Sequence, residues 1–390
     1  MTTTTTTMDD GVYDAIVVGA GVEGSATAYH LAKQHQRTLL IEQFPLPHSR
    51  GSSHGQTRIT RKAHADDFYT AMMADAYQMM FQLEKEAGVK LYRKTGCLYI
   101  GPADSDTLNN VESSLQKHGC VHEKISSSEM KARFPGFAVS ADMCAILDSE
   151  GGILRADKMI SAFQTMFIRF GGHLRDGEPV ESIQPGNIVT VKTSKGLYKT
   201  RNVAIAAGPW ASKLLKPLGL NLPLKCKKIL VMYWKERTRG SYSVDRNFPV
   251  FIHKMKHPTA IYGLPSDEYP GLVKVCLHHG PEIDPDLRDE VDVTWVKDTV
   301  REYVTKHMPG LESVPSVVES CIYTNTPDSH FILDRHPRWS NILIAAGFSG
   351  SGFKISPVVG KAVCELIMKT TPSYDLSYFR INRFAPTSRM

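Results

Sequence analysis

The stretch "YDAIVVGAGVEGSATAYHLAKQHQRTLLIEQ", Tyr13 to Gln43, constrains the fold more than any other part of the chain. Ala15 to Val18 is a short apolar run of strand length. Gly19-x-Gly21-x-x-Gly24 follows at once. Ala26, Ala28, Leu31 and Ala32 then keep helical spacing. "TLLIE" reads as a second strand and delivers Glu42 at the distance, about 20 residues on, where a ribose-binding acid stands. Each glycine meets a physical need. Gly19 allows the tight turn, Gly21 the close approach of backbone to a pyrophosphate, and Gly24 the packing of helix on strand. The helix start offers free N–H groups and the positive end of its dipole to phosphate. Glu42 can accept both ribose hydroxyls and would repel the extra phosphate of NADP. The bland alternative is a Gly-rich turn with no ligand; the strand–turn–helix–acid order argues against it.

Two further apolar strands end in glycine: "VAIAAGPW" at 203–210 and "NILIAAGFSG" at 341–350. After the second, Val358, Val359, Val363, Leu366 and Ile367 suit a helix packed under a sheet. A nicotinamide enzyme needs one contiguous dinucleotide unit, whereas these three pieces predict an interleaved cofactor domain. The 390 residues suit roughly two domains of about 100–200 residues. The expected class is α/β, α+β overall: a Rossmann-like dinucleotide-binding domain from 11–90, 150–222 and 318–386, and a second domain from 91–149 and 223–317.

Other classes fall away. A net charge of +6 is modest, and no Lys/Arg tract, zinc spacing or RNA-binding signature occurs, so neither nucleic acid nor metal is expected. The run "HKMKHP" at 253–258 reads as a solvated loop. No stretch of about 18 apolar residues predicts a membrane span. Seven cysteines, widely spaced and without C-x-x-C, argue for a reducing compartment and no structural disulfides. "MTTTTTTM" reads as a disordered tail over 1–10, too poor in apolar residues for a signal peptide. Ser388-Arg389-Met390 fits the small–basic–apolar pattern of a peroxisomal address, over a targeting tail at 387–390.

"SRGSSHGQTRITRKAH" spans Ser49 to His64 and sets His54, Arg58 and Arg61 at offsets of four and three. Its first half reads as loop; its second half as a helical turn or a short strand. A solvated basic face is the ordinary reading. No acidic residue occurs between Glu42 and Asp66, however, so this positive charge has no local answer. Cys321, inside "VPSVVESCIYTNTPD", is either a packed core thiol or a point of covalent attachment.

Five long motifs in order, "DAIVVGAGVEGSATAYHLAK", "LPHSRGSSHGQTRI", "IYGLPSDEYPGLVKV", "ESCIYTNTPDSHFILDRHP" and "AGFSGSGFKISPVVGK", resemble the monomeric sarcosine oxidase family of flavoprotein amine oxidases. The resemblance runs from about residue 12 to 386. It implies a Rossmann-like FAD-binding domain and a substrate domain with a large mixed or antiparallel sheet, and FAD as cofactor, attached through its 8α-methyl group to the Cys321 sulfur. It places His54 and Arg58 near the isoalloxazine, and gives Arg61 and Lys354 the substrate carboxylate, with Lys354 also near the flavin's pyrimidine edge. It makes Lys274 the site of oxygen activation. It sets Tyr262 and His278 in the substrate cavity, and Tyr323 stands two residues past Cys321. Val273 and Val275 flank Lys274, so its side chain is expected on the face they do not occupy. Ser351, where many members carry histidine, and Thr60, where a branched apolar residue is usual, depart from the pattern and are expected to retune the cavity.

The implied reaction is oxidation of a secondary amino acid (sarcosine, L-pipecolate or L-proline) to the imine, with oxygen reduced to hydrogen peroxide. A peroxide-forming enzyme suits a peroxisomal address and its import receptor. The expected state is a monomer. Three rivals remain: a flavin dehydrogenase feeding a carrier, an NAD-dependent dehydrogenase, and a nucleotide-binding regulator without catalysis.

Overall fold

The computed structural model describes residues 11–255 and 260–384. The expected tail 1–10 and the targeting tail 387–390 lie outside the described residues.

Three parallel strands, Tyr13–Val18, Leu197–Ile205 and Ile342–Ala346, form the centre of the first sheet. Thr38–Ile41 and His173–Arg175 extend it in parallel beyond Tyr13–Val18. Both faces are covered, so the central strands are apolar without alternation. Ala15, Val17, Ala204 and Leu343 face a layer that holds helices Val22–Lys33, Asp67–Ala87, Ala156–Arg169 and Gly352–Ile367. Ile16, Val18, Val203 and Ile344 face the other way, into a second apolar cluster with Ile183 and Val189. Cβ atoms alternate along a strand, and here each side finds its own core.

Two glycines fix how closely the layers meet. A Cβ on Gly24 would lie 1.8 Å from the Gly19 carbonyl oxygen. A Cβ on Gly360 would lie 2.6 Å from the carbonyl carbon of Ala26, so Val22–Lys33 and Gly352–Ile367 meet backbone to backbone. The three central strands then run out into glycines with left-handed backbone: Gly19 (φ 101°), Gly208 (φ 51°) and Gly347 (φ 72°). A side chain is disfavoured in that region, which explains glycine at all three turns.

The second sheet has eight strands, in the order Leu311–Asn325, Lys225–Glu236, Leu272–Leu277, Ala260–Tyr269, Val250–Lys254, Cys97–Pro102, Met143–Asp148, His122–Ser126. All neighbours are antiparallel except Val250–Lys254 with Cys97–Pro102, so the sheet is mixed. One face carries Leu230, Met232, Trp234, Phe251, Val273 and Val275 into a core shared with helix Thr294–His307. The other face is set by register. Tyr99 pairs with Ile252, Ile252 with Tyr262, Tyr262 with Cys276, and Lys274 with both Leu264 and Tyr233. Lys274 therefore points away from Val273 and Val275, as expected. Strand Leu311–Asn325 passes residue 318 unbroken and brings Cys321 opposite Ile229 and Tyr323 opposite Lys227.

The α/β reading with a mixed second sheet holds. The run "HKMKHP" is corrected: its first two residues complete strand Val250–Lys254. His253 is fully buried, its Nδ1 2.9 Å from the Tyr303 hydroxyl. A polar residue with a buried partner mimics a loop residue in sequence. Residues 256–259 lie outside the described residues. Among the described residues no helix is long and apolar enough to cross a membrane.

Candidate active site

A cavity of about 1650 Å³ opens where the central strands end, with Gly19, Gly208 and Gly347 all on its wall. Ligands of open parallel sheets bind in that crevice. The volume exceeds that of an ordinary small-ligand pocket, about 300–1000 Å³, as an elongated dinucleotide requires. The first helical bond of Val22–Lys33 runs from the Ser25 N–H to the Gly21 carbonyl at 2.8 Å. The N–H groups ahead of it have no partner within the helix. That of Val22 donates to Ser53 Oγ at 3.0 Å. Glu42 closes the crevice from the second strand. Its carboxylate accepts from the N–H groups of Ala20 (2.8 Å) and Phe44 (3.1 Å) and keeps lone pairs for a ribose. These features fit FAD.

The loop ahead of strand Thr57–Thr60 brings the basic cluster to this cavity. The second half of the cluster is thus a strand and not a helical turn. Arg58 lines the cavity and donates to the carbonyls of Thr57 (2.8 Å) and Ser52 (3.0 Å), with its guanidinium 5.4 Å from the Phe353 ring centre. The Cys321 thiol meets the same Ser52 carbonyl at 3.7 Å. The guanidinium and the thiol thus converge on one backbone oxygen. His54 is also on the wall. Burial, then Arg58 and Arg288, push its imidazole down to about 4, so it is neutral at pH 7. Its Nε2 is buried with no hydrogen-bond partner among the described residues.

Beyond Gly350 and Tyr323, which line the cavity, lies a second group of residues. His278 stands 5.0 Å from the Tyr323 ring and 6.2 Å from that of Tyr262. A Cβ on Gly350 would fall 2.5 Å from His278 Cε1, so this glycine makes room for the imidazole. The side chain keeps solvent access although protein groups surround it. Burial, then Lys254, Lys354 and Arg61, push it down to about 3, so it too is neutral. Arg61 sits 5.4 Å from the centre of the Tyr99 ring, and its Nη1 is buried without a partner among the described residues. Lys354 Nζ donates to the Ser351 carbonyl at 3.3 Å. Burial, then repulsion by Arg61, push its amine down to about 7. Two neighbouring cations with a free donor can take a carboxylate, and an arginine fork fixes its orientation.

Cys321, Arg61, Tyr262, His278, Lys354 and Lys274 do not themselves line the cavity. Lys274 is 4% exposed, and its ammonium lies 2.6 Å from Glu268 Oε2 and 2.8 Å from Thr57 Oγ1. Thr60 is 1% exposed and does not line the cavity. Ser351 contributes its carbonyl to Lys354. Three participants escaped the sequence: Glu268, Lys254 and Glu23. Glu268 was legible only as the acid nearest Lys274. Lys254 lay hidden in the presumed loop. Glu23 offered one signal, an acidic residue inside a glycine turn of the kind that accepts phosphate.

The sequence profile of the FAD dependent oxidoreductases matches residues 14–366. The chain belongs to the FAD dependent oxidoreductase family, and it is an enzyme. It is 50% identical over 377 residues to the peroxisomal sarcosine oxidase of Homo sapiens, covering 96% of both chains. It is 35% identical over 379 residues to the monomeric sarcosine oxidase of Bacillus sp. (strain NS-129), covering 96% of this chain and 97% of that one. The resemblance read from the motifs is borne out. Among solved structures, NikD, an unusual amino acid oxidase essential for nikkomycin biosynthesis, shares the fold at a TM-score of 0.84 and 22% identity, over 95% of this chain and 97% of that one. L-proline dehydrogenase from P. horikoshii does so at 0.81 and 23%, over 96% and 98%.

Proposed function

We propose that the protein oxidises secondary amino acids, sarcosine or L-pipecolate with L-proline as a further candidate, to the imine and reduces oxygen to hydrogen peroxide. The observation that carries this reading is Arg61 Nη1, buried and unpartnered, within electrostatic reach of the Lys354 amine. Together they hold the substrate carboxylate. Tyr262, Tyr323 and neutral His278 shape the space for the amine, whose nitrogen must be deprotonated to release electrons. FAD, when bound, supplies the two-electron acceptor and the route to oxygen. Gly19, Gly21, Gly24 and Glu42 would hold its dinucleotide end and His54 and Arg58 the ring end, with Cys321 as the residue that would carry a covalent attachment. Lys274 offers the cation for oxygen reduction. The first sheet and its helices belong to the FAD domain (11–90, 150–222, 318–386) and most of the second sheet to the substrate domain (91–149, 223–317), with strand Leu311–Asn325 crossing from one to the other at 318.

The enzyme acts as a monomer in the peroxisome. The relatives at 50% and 49% identity are named peroxisomal sarcosine oxidases, and Ser388-Arg389-Met390 fits an import-receptor address. One observation favours a second reading, transfer of electrons to a carrier: the Lys274 charge is already answered by Glu268.

The test is anaerobic mixing with L-pipecolate and, in parallel, sarcosine. Bleaching of the flavin band that reverses in air supports the oxidase, and the faster compound names the substrate. Bleaching that persists in air and reverses with an artificial acceptor supports the second reading. No bleaching by either compound refutes the substrate class.

A further inference from the structure

Glu23 stands between Gly21 and Gly24 and has no part in the reading above. It lies in the first turn of helix Val22–Lys33, on the cavity wall, and is 7% exposed. Neither carboxyl oxygen has a hydrogen-bond partner among the described residues. A buried carboxylate without donors is costly, and such a group keeps its proton instead. Burial holds Glu23 well above the usual carboxyl range, and the pull of Lys354 offsets only part of this. The position is prepared for it. A Cβ on Gly352 would fall 2.6 Å from Glu23 Oε1, so the glycine that starts the last long helix makes room for the acid.

We propose that the Glu23 carboxyl serves the bound FAD as a neutral hydrogen-bond donor. The inference rests on FAD occupying this cavity. A helix start favours negative charge, but its N–H groups are what a pyrophosphate takes. An ionised carboxylate in the same dry wall would repel that pyrophosphate. A neutral acid has one O–H to give, and FAD presents acceptor oxygens along its polyol and phosphate chain. The cavity thus holds one acid in each role: Glu42, whose oxygens accept from backbone N–H groups, and Glu23, which donates.

The test uses the Cys321→Ser chain, so that FAD can be exchanged. Infrared difference spectra between FAD-free and FAD-loaded protein are recorded with and without Glu23→Gln. The expected result is a protonated-carboxyl carbonyl band that moves to lower frequency on loading and is missing in Glu23→Gln. Glu23→Gln, which keeps an N–H donor, should hold FAD within about threefold of the parent, and Glu23→Leu about tenfold more weakly. A band that does not move, or equal FAD affinity in Glu23→Leu, overturns the proposal. Should Glu23→Leu fail to fold, the band in the parent and Glu23→Gln decides alone. A parent protein that takes up no FAD would sink the cofactor reading itself, a different failure.

Discussion

Lys274 Nζ and Glu268 Oε2 lie 2.6 Å apart, and both side chains are only 5% exposed. Thr57 Oγ1 donates to Glu268 Oε2, and the Tyr233 hydroxyl donates to its Oε1 at 2.9 Å. Burial pushes Glu268 up, but Lys274 and these donors outweigh it and leave its carboxyl below the usual range. Burial also pulls Lys274 down, against the pull of Glu268. The two directions disagree on whether charge is favoured. The donors on Glu268 decide for the charged pair, because they stabilise only the carboxylate.

Lys274→Met should therefore do two things. It leaves Glu268 buried without its cation, at a cost of about 3 kcal/mol. It should also slow reoxidation by oxygen while anaerobic flavin reduction stays fast. Glu268→Gln keeps the side chain's shape and one accepting oxygen but removes the negative charge that answers Lys274, and should speed reoxidation. Stopped-flow of the two half-reactions separates the effects. Equal reoxidation rates in all three proteins would remove Lys274 from the oxygen step.

Arg61→Met should weaken carboxylate binding by about 2–5 kcal/mol, because the guanidinium is desolvated before the ligand arrives. The dissociation constant of acetate, followed by the flavin spectrum, reports this without catalysis. An unchanged constant would reassign the carboxylate grip.

Acetate binding should also depend on pH. Lys354 loses its proton near pH 7 in the ligand-free protein, and only the protonated amine attracts a carboxylate. Acetate affinity should be full below about pH 7 and fall as pH rises, by at most about tenfold per unit. Acetate itself does not titrate in that range. The Lys354→Met protein should bind weakly with no such slope. For folding the sign is reversed: the depressed amine disfavours the folded state most at pH below about 7, so Lys354→Met should raise the thermal midpoint there.

Cys321→Ser should yield a protein that releases its flavin on acid precipitation. The reason is local: the thiol and the Arg58 guanidinium share the Ser52 carbonyl on the cavity wall. Flavin that stays with the precipitated Cys321→Ser protein would move the attachment to another residue.

The parts visible in sequence were those whose physics is local. A left-handed turn needs glycine, so Gly19, Gly208 and Gly347 announce themselves after apolar strands. The flanking valines aim Lys274 because strand geometry alternates. What stayed hidden depends on register. Glu268 reaches Lys274 through the hairpin Ala260–Tyr269 and Leu272–Leu277, whose pairing shifts between Leu264 and Tyr269. No pattern within either strand fixes that shift. His253 looked like loop because its hydrogen-bond partner, Tyr303, sits on a distant helix. Glu23 was in plain view, but its lack of partners is a property of the folded walls.

The three glycine turns come from the two ends and the middle of the chain, and the third belongs to the strand Ile342–Ala346. Synthesis therefore delivers the last wall of the crevice long after the first. Until that strand is made, the first glycine turn has no complete crevice beside it in which a whole dinucleotide could sit. Yellow colour in a preparation is then a certificate of assembly: it reports that strands Tyr13–Val18 and Ile342–Ala346 have met.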